Sequence, residues 1–294
     1  MKILVITRKN TYSPNHIGND AAILNAVCDK LTLLGADIEI CSEDDFLKMT
    51  VLRQELIVSM GRSMLLLERL QALEDAGVRV INSAFGVANC FRKNMTLALL
   101  QAGVPYPRSK VLQTTELVDD TFAALQNGGV WLKRGDFHAI HKEDVSFAAS
   151  AKEAQQILQE YALRGITEAV VSEHLHGDLL KFYAVRGTDF FYWFYPYEFN
   201  HHKYTAYEAI NGKPVHYPFD LNALKHVAHE AARVLQVEIY GGDVIIGPNG
   251  DFHLIDLNDW PSFAPCRAEA ATAITAHLLQ SINQHTQQTL FPHA

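Results

Sequence analysis

Tyr240-Gly241-Gly242-Asp243-Val244-Ile245-Ile246-Gly247-Pro248-Asn249-Gly250-Asp251-Phe252-His253-Leu254-Ile255-Asp256-Leu257-Asn258-Asp259-Trp260-Pro261 places two apolar runs on either side of a Pro-Asn-Gly turn. Asn-Gly between such runs signals a β-hairpin, because the tightest hairpin turn needs positive φ at both central residues. With Asn249 and Gly250 as those two residues, Pro248 faces Asp251, and counting outward sets Asp243 opposite Asp256. Cross-strand Cβ atoms lie about 4.5–5.5 Å apart, so two facing carboxylates destabilise the pair unless a cation compensates them. Asn258 is two residues beyond Asp256 and so on the same face. Two carboxylates and a carboxamide oxygen suit a hard ion such as Mg²⁺, which completes its shell with water and phosphates. An exposed hairpin with two unrelated acids is the competing reading. The apolarity of Val244-Ile245-Ile246 and His253-Leu254-Ile255 weighs against it.

At 294 residues the chain has room for two or three domains with cores of their own. A net charge of −8 gives no basic footprint for a general nucleic-acid or membrane-surface binder, though a local basic cleft for a phosphorylated ligand is compatible with it. The apolar run after Met1-Lys2 is too short for a signal h-region, and no run is long enough to span a bilayer, which leads to the expectation of a cytoplasmic protein. Cys28, Cys41, Cys90 and Cys266 are scattered without CxxC spacing and read as small buried apolar groups.

Working back from the hairpin, the first part of the chain alternates strand and helix patterns. Lys2 to Thr7, Asp37 to Cys41, Leu56 to Met60 and Val78 to Asn82 read as strands, with helices through Ile23 to Leu34 and Ser63 to Ala76. This is the pattern of a parallel sheet covered on both faces, whose ligands sit at the carboxyl ends of the strands. The loop Thr11 to Asp20 is at such an end, either touching a substrate or serving only as a surface loop before a helix. From Ser109 to His174 strands and helices build a small α+β unit, in which Lys133 ends a strand and is either surface-exposed or aimed at an anion. Leu179 to Arg186 and Asp189 to Tyr195 follow as strands, then a long polar and aromatic loop, Tyr197 to Pro218, containing Asn200-His201-His202-Lys203. Asp220 caps a helix through Leu235, and a final helix starts at Arg267.

The order of these pieces from about Val78 to Phe263 resembles the ATP-grasp superfamily. Arg92-Lys93 ahead of Ala102-Gly103-Val104-Pro105 is similar to the segment whose Lys binds ATP phosphates, and Lys133 is similar to the second phosphate Lys. Val170-Val171-Ser172-Glu173-His174-Leu175 resembles the adenine hinge, and Gly177-Asp178 the element that holds ribose. The resemblance implies Asp243, Asp256 and Asn258 as metal ligands, with ATP and two Mg²⁺ ions, or Mn²⁺, as cofactors. It implies an α/β and α+β architecture: a parallel-sheet domain over residues 1–104, then two α+β subdomains, 105–172 and 173–294, that sandwich ATP.

Two segments depart from the superfamily pattern. Arg134-Gly135-Asp136-Phe137-His138-Ala139-Ile140-His141 has a single Gly where ligases carry a Gly-rich loop, so Arg134, His138 or His141 would have to supply the phosphate contact. The Arg that ligases place before the hairpin has no match among Phe190 to Tyr197, leaving Lys181 and Arg186 as catalytic candidates. The activity implied is that of a carboxylate–amine ligase acting on a small molecule or peptide, with no nucleic acid or membrane partner and with a homodimer left open. A small-molecule kinase resembling the inositol polyphosphate kinases is the alternative. His176-Gly177 before Lys181-Phe182-Tyr183 and Asp256-Leu257-Asn258-Asp259-Trp260-Pro261 resemble segments of those kinases. A polyphosphate substrate would need a denser basic cluster than Lys142, Lys181, Arg186, His201, His202 and Lys203 provide. A third alternative, a non-catalytic nucleotide-binding module, leaves the combination of Lys93, Lys133, Asp243, Asp256 and Asn258 without a purpose.

Overall fold

The structure, a computed structural model, describes residues 1–14, 16–125, 128–196, 210 and 212–290, with residues 284–290 by backbone alone. The expected loop with Asn200-His201-His202-Lys203 therefore lies outside the described residues.

Apolar runs with no alternation make the first sheet. β1 (Lys2–Thr7), β2 (Asp37–Ser42), β3 (Leu56–Ser59) and β4 (Val80–Ile81) pair in parallel in the order β2-β1-β3-β4. Parallel strands stay stable when both faces are covered. Ile3 and Val5 pack with α1 (Ile17–Leu33) and α9 (Arg267–Leu290), through Ile23, Val27, Ala270 and Ile274. Leu4 and Ile6 pack on the other side with α3 (Met64–Asp75) and α4 (Ala84–Asn89). The last helix of the chain thus belongs to the core of the first sheet, a long-range pairing that no local pattern discloses. α4 and α2 (Glu43–Phe46) are six and four residues long, too short for a helical periodicity to register.

The second sheet is antiparallel: β5 (Ser109–Gln113), β6 (Val130–Arg134), β7 (Val145–Ala148) and β8 (Glu168–Glu173), in the order β5-β8-β6-β7. α6 (Asp119–Leu125) and α7 (Ala151–Leu163) close its core through Phe122, Leu158 and Tyr161. The third sheet, also antiparallel, contains β9 (Asp178–Val185), β10 (Phe191–Phe194), β11 (Ile239–Ile246) and β12 (Phe252–Asp259), in the order β10-β9-β11-β12. One of its faces is sealed by α5 (Arg92–Gln101) and α8 (Leu221–Leu235), with Leu99, Leu224 and Leu235 meeting Val244, Leu254 and Leu257. Asp220 caps α8 by accepting from the backbone N–H groups of Asn222 and Ala223, at 2.8 and 3.1 Å. Among the described residues no helix is long and apolar enough to cross a membrane.

The hairpin turn differs from the expected two-residue form. Ile246 pairs with Phe252, Gly247 N–H donates to Asp251 O at 2.8 Å, and only Gly250 has positive φ, 79°. This is a three-residue Pro248-Asn249-Gly250 loop, in which a type I turn needs one left-handed residue at its end. The longer loop slips the register by one residue. A bulge restores it: Ile245 pairs with His253 and Val244 with Leu254, but Asp243 pairs with Asp256, so Ile255 is the extra residue. Asp243 and Asp256 do face each other, through two compensating irregularities that the turn count did not contain.

Candidate active site

The period of two along adjacent strands sets side chains from β9, β11 and β12 on the face of the third sheet opposite α5 and α8. Lys181, Asp243 and Asp256 stand side by side in register, and Asn258 is opposite Gly241. A Cβ on Gly241 would come within 2.5 Å of Tyr183 Cδ1, so the close approach here requires glycine. Lys181 Nζ donates to Asp243 Oδ1.

Two further cations enter from other elements. Arg92, in the first turn of α5 and 3 % exposed, brings Nη1 to 3.0 Å from Asp256 Oδ1 and donates from Nη2 to Oδ2 at 3.1 Å. Lys133, near the end of β6 and 7 % exposed, donates to Ile255 O at 3.1 Å. The bulge has taken Ile255 out of the strand pairing, and its carbonyl meets the ammonium from the facing sheet. Burial lowers the Lys133 ammonium to about 7, with neighbouring Arg92 pushing the same way. Burial alone would raise the Asp256 carboxyl; Arg92, then Lys133, outweigh it and hold it at about 2.

The donor set fits a hard divalent ion. Asp256 Oδ1 is buried and, despite the nearby Arg92, accepts no aligned hydrogen bond. The Asn258 carboxamide, on the same face, makes no hydrogen bond among the described residues, while Arg92 would have to yield part of the Asp256 carboxylate to an ion. Among the described residues no group of three or more His, Cys, Asp or Glu is arranged to hold a metal, so an ion here would depend on the two carboxylates together with the Asn258 carboxamide, water and phosphate oxygens.

Other residues singled out from sequence are placed differently. Lys93 is one residue, and so about 100° of helix, beyond Arg92; it turns to Glu168, with Nζ at 2.7 and 2.9 Å from the two carboxylate oxygens. Glu173 accepts from Arg108 N and Nε, both at 2.7 Å. His174 Nδ1 accepts from Trp131 Nε1 at 3.1 Å, and Leu175 follows half-buried, so the segment Glu173 to Leu175 is held from both sides. The oxygens of Asp178 accept from the backbone N–H groups of Val215 and Tyr217 at 2.8 and 2.9 Å, anchoring the segment that leads into α8. Arg186 lies past the end of β9, exposed. Five residues from Lys181 it is ~16 Å along the strand and on the opposite face, so the catalytic part expected of it is not available at this cluster.

A second charged cluster went unread in the sequence. Asp259, with no exposed surface, is bracketed by Arg62, whose Nε donates to Oδ2 at 3.1 Å and whose Nη2 is 2.9 Å from Oδ1 and donates to the backbone oxygen at 2.9 Å. Arg8 Nη2 is 3.7 Å from the same carboxylate and donates to Trp260 O at 2.9 Å, while its Nη1 donates to Asp20 at 3.0 Å. His138 Nε2 is 3.3 Å from Asp259 Oδ1. Burial, then Arg62, lowers His138 to about 4, so the ring is neutral near pH 7. Arg8 and Arg62 stand just beyond the carboxyl ends of β1 and β3, the one signal by which strand-end logic could have found them. In place of a glycine-rich phosphate loop, Phe137 packs on Tyr12 and Phe91 with ring centroids 5.2 and 4.5 Å away.

Between the two clusters opens a cavity of about 280 Å³, bordered by Arg8, Asp20, Arg62, Lys181, Tyr183 and Asn258. The loop after β1 lines it through Tyr12, Ser13, Pro14 and His16. The cavity therefore joins the first sheet's strand ends to the carboxylate face of the third.

No family model matches the chain, and no curated protein matches it by sequence. Solved structures do match in fold. D-alanyl-alanine synthetase A from Vibrio cholerae O1 biovar eltor superposes with a TM-score of 0.70 at 13 % identity, covering 97 % of this chain and 98 % of its own. D-alanine–D-alanine ligase from Bacillus anthracis complexed with ATP gives 0.67 at 14 %, covering 98 % of each chain. A RimK domain ATP-grasp protein from Sphaerobacter thermophilus gives 0.65 at 14 %, covering 95 % of this chain and 100 % of its own. The chain has the ATP-grasp fold, a parallel sheet followed by two antiparallel sheets that meet where Lys133 touches the bulge beside Asp256.

Proposed function

We propose that the protein is an ATP-dependent carboxylate–amine ligase that activates a small molecule or peptide as an acyl-phosphate. The observation that carries this reading is the convergence of Arg92, Lys133 and Lys181 from three elements on Asp256, the Ile255 carbonyl and Asp243, beside a cavity that Lys181 and Asn258 line. Positioning and charge neutralisation are what phosphoryl transfer asks of a protein. The likeness to a D-alanine–D-alanine ligase complexed with ATP supports it through the fold.

In this reading the backbone of Glu173 to Leu175 reads the adenine edge, kept in place by Arg108 and Trp131. Arg92 and Lys133 hold the phosphates; Lys93, engaged by Glu168, steadies the helix instead. Asp256 and Asn258, with Asp243 alongside, would hold Mg²⁺, which supplies charge neutralisation on the phosphate oxygens. A substrate carboxylate in the cavity attacks the γ-phosphorus as ADP leaves, Lys181 stabilises the charge on the transferred group, and an amine then displaces phosphate from the acyl-phosphate.

The pairing of the cavity's cations favours this over a polyphosphate kinase. Arg8 and Arg62 are taken up by Asp20 and Asp259, and Lys181 by Asp243, so among the described residues no surplus of cations faces the cavity. Incubation with ATP, Mg²⁺ and a panel of amino acids, peptides and phosphorylated polyols tests the assignment. Phosphate release that needs both a carboxylate and an amine supports a ligase. Transfer of label from γ-labelled ATP to a single polyol would establish the kinase instead, and no turnover with any pair would sink both.

A further inference from the structure

A guanidinium carries its N–H donors on Nε, Nη1 and Nη2 in a rigid planar fork. At Arg62 the Nε and Nη2 side of the fork is committed to Asp259: Nε donates to Oδ2 at 3.1 Å, and Nη2 donates to the backbone oxygen at 2.9 Å with Oδ1 also 2.9 Å away. The backbone is pinned too, since the N–H groups of Arg62 and Ser63 donate to the buried Glu43 carboxylate at 3.2 and 3.1 Å. Nη1 makes no hydrogen bond among the described residues, and it is not sealed from solvent as Arg267 Nε is. Arg8 differs: its Nε, Nη1 and Nη2 each have an acceptor, on Met60, Asp20 and Trp260. Arg62 is only 7 % exposed, and it borders the cavity. A held guanidinium thus presents one open nitrogen at the cavity wall.

Charge selects the group that can meet it. Arg8 and Arg62 are set against Asp20 and Asp259, and Lys181 against Asp243, one cation to one acid. A carboxylate brought to Nη1 would add an unmatched buried charge beside Asp259, which has no exposed surface. A neutral carbonyl oxygen accepts from the same nitrogen without that cost. Pro14, Ile140, Phe194 and Pro261 on the same wall suit an uncharged body attached to it.

We propose that Arg62 Nη1 recognises a neutral carbonyl oxygen of the carboxylate substrate, so that the substrate is an N-acylated amino acid or the C-terminus of a peptide. Its amide carbonyl meets Arg62, and its carboxylate lies toward Lys181, which lines the same cavity. This rests on the ligase reading above and narrows it. A free α-amino acid, with an ammonium where that acyl group would be, is the poorer substrate.

Acids of matched length test the assignment. N-Acetylglycine and levulinate carry a neutral oxygen at the same distance from the carboxylate, pentanoate lacks it, and succinate puts a second charge there. Their binding to the full chain is measured by isothermal titration, with and without Mg²⁺ and a β,γ-methylene ATP analogue. The two carbonyl acids should bind ~10–100-fold more tightly than pentanoate, the size of a hydrogen bond to a charged group. Succinate should bind no more tightly than levulinate. Equal affinity for levulinate and pentanoate, tighter binding of succinate, or no binding in either condition overturns the proposal. Arg62→Lys keeps a charge for Asp259 but has no Nη1, and should reduce the carbonyl preference to within about threefold. A folded Arg62→Lys protein with the full preference would show that another group reads the carbonyl. The ratios on the unaltered chain decide the matter where that variant fails to fold. Phosphate release from ATP with an added amine keeps the two readings apart. Release that ignores the carbonyl sinks the Arg62 assignment and leaves the ligase, whereas carbonyl-selective binding without any release sinks the ligase and leaves the Arg62 contact.

Discussion

Two charged clusters meet at the end of β12, three residues apart in sequence, and they are built to opposite specifications. Around Asp256, Arg92 takes the carboxylate, Lys133 takes the bulge carbonyl, and the Asn258 carboxamide makes no hydrogen bond among the described residues. Around Asp259, Arg62 and Arg8 are balanced by Asp259 and Asp20, the neutral His138 fills the remaining side, and the carboxylate has no exposed surface. The first cluster is partly exposed. The second borders the cavity through Arg8 and Arg62, yet it is buried and joins segments from residues 8, 62, 138 and 259, as a structural tie should. Burial and ion pairing therefore do not separate the two clusters, since Asp256 Oδ1 and Asp259 Oδ1 both lie beside an arginine without an aligned hydrogen bond; the partly exposed Asn258 carboxamide does.

Breaking the closed cluster should have the largest effect. Asp259→Ala leaves Arg62 buried without its carboxylate while Arg8 keeps only Asp20, and removal of one member of a buried pair costs about 3–5 kcal/mol. Urea unfolding should show a loss of this size; a loss under about 1 kcal/mol would mean that the cluster is not a tie.

Glu238 sharpens the comparison through pH. It is another closed group, in contact with Arg79 at 2.7 Å and His277 at 2.6 Å. Burial would raise its carboxyl, but the hydrogen bond with His277 and then Arg79 hold it lowered to about 2. A folded-state value below the unfolded one stabilises above the unfolded value and is lost as pH falls through the folded one. Between pH ~4.5 and ~2 the contribution lost is on the order of 3 kcal/mol. The stability gap between the unaltered chain and Glu238→Gln should shrink across that window; a gap constant with pH would refute the linkage.

Asn258→Ala tests the open cluster next door. With no hydrogen bond to lose, stability should stay within about 0.5 kcal/mol. Nucleotide-dependent Mn²⁺ affinity should fall ~10–100-fold, the size typical of a disturbed metal shell. A large stability loss with unchanged ion affinity would reverse the contrast between Asn258 and Asp259. The smallest effect belongs to Arg186→Ala, exposed and on the far face of β9. Turnover should change less than about twofold, within the range of an ordinary surface substitution.

Local patterns carried much of this fold. The unbroken apolar runs of β1 and β3 imply a sheet covered on both sides, the period of two places Asp256 and Asn258 on one face, and Asp220 marks the start of α8. These are legible because each depends on residues within a few positions of one another, where strand and helix geometry dictate direction. The hairpin marks the limit. Its turn is one residue longer than the Asn-Gly pair suggests, and Asp243 meets Asp256 only because Ile255 bulges out of register. That bulge also supplies the carbonyl for Lys133, and nothing in the order of residues announces it.

Only the tertiary structure could choose between Arg92 and Lys93. Neighbours on a helix face different partners, and packing against the third sheet turned Arg92 to Asp256 and left Lys93 to Glu168. It alone could assemble Arg8 and Arg62 on Asp259, which are separated by 251 and 197 residues, and set the C-terminal helix against the first strand. The physical reason is common to all of these. Sequence spacing determines which way a side chain leaves its own element, but the partner it meets is determined by how separate elements bury their apolar faces together. The same burial decides which charges are sealed into ties, as at Asp259, and which stay partly exposed, as at Asp243 and Asp256.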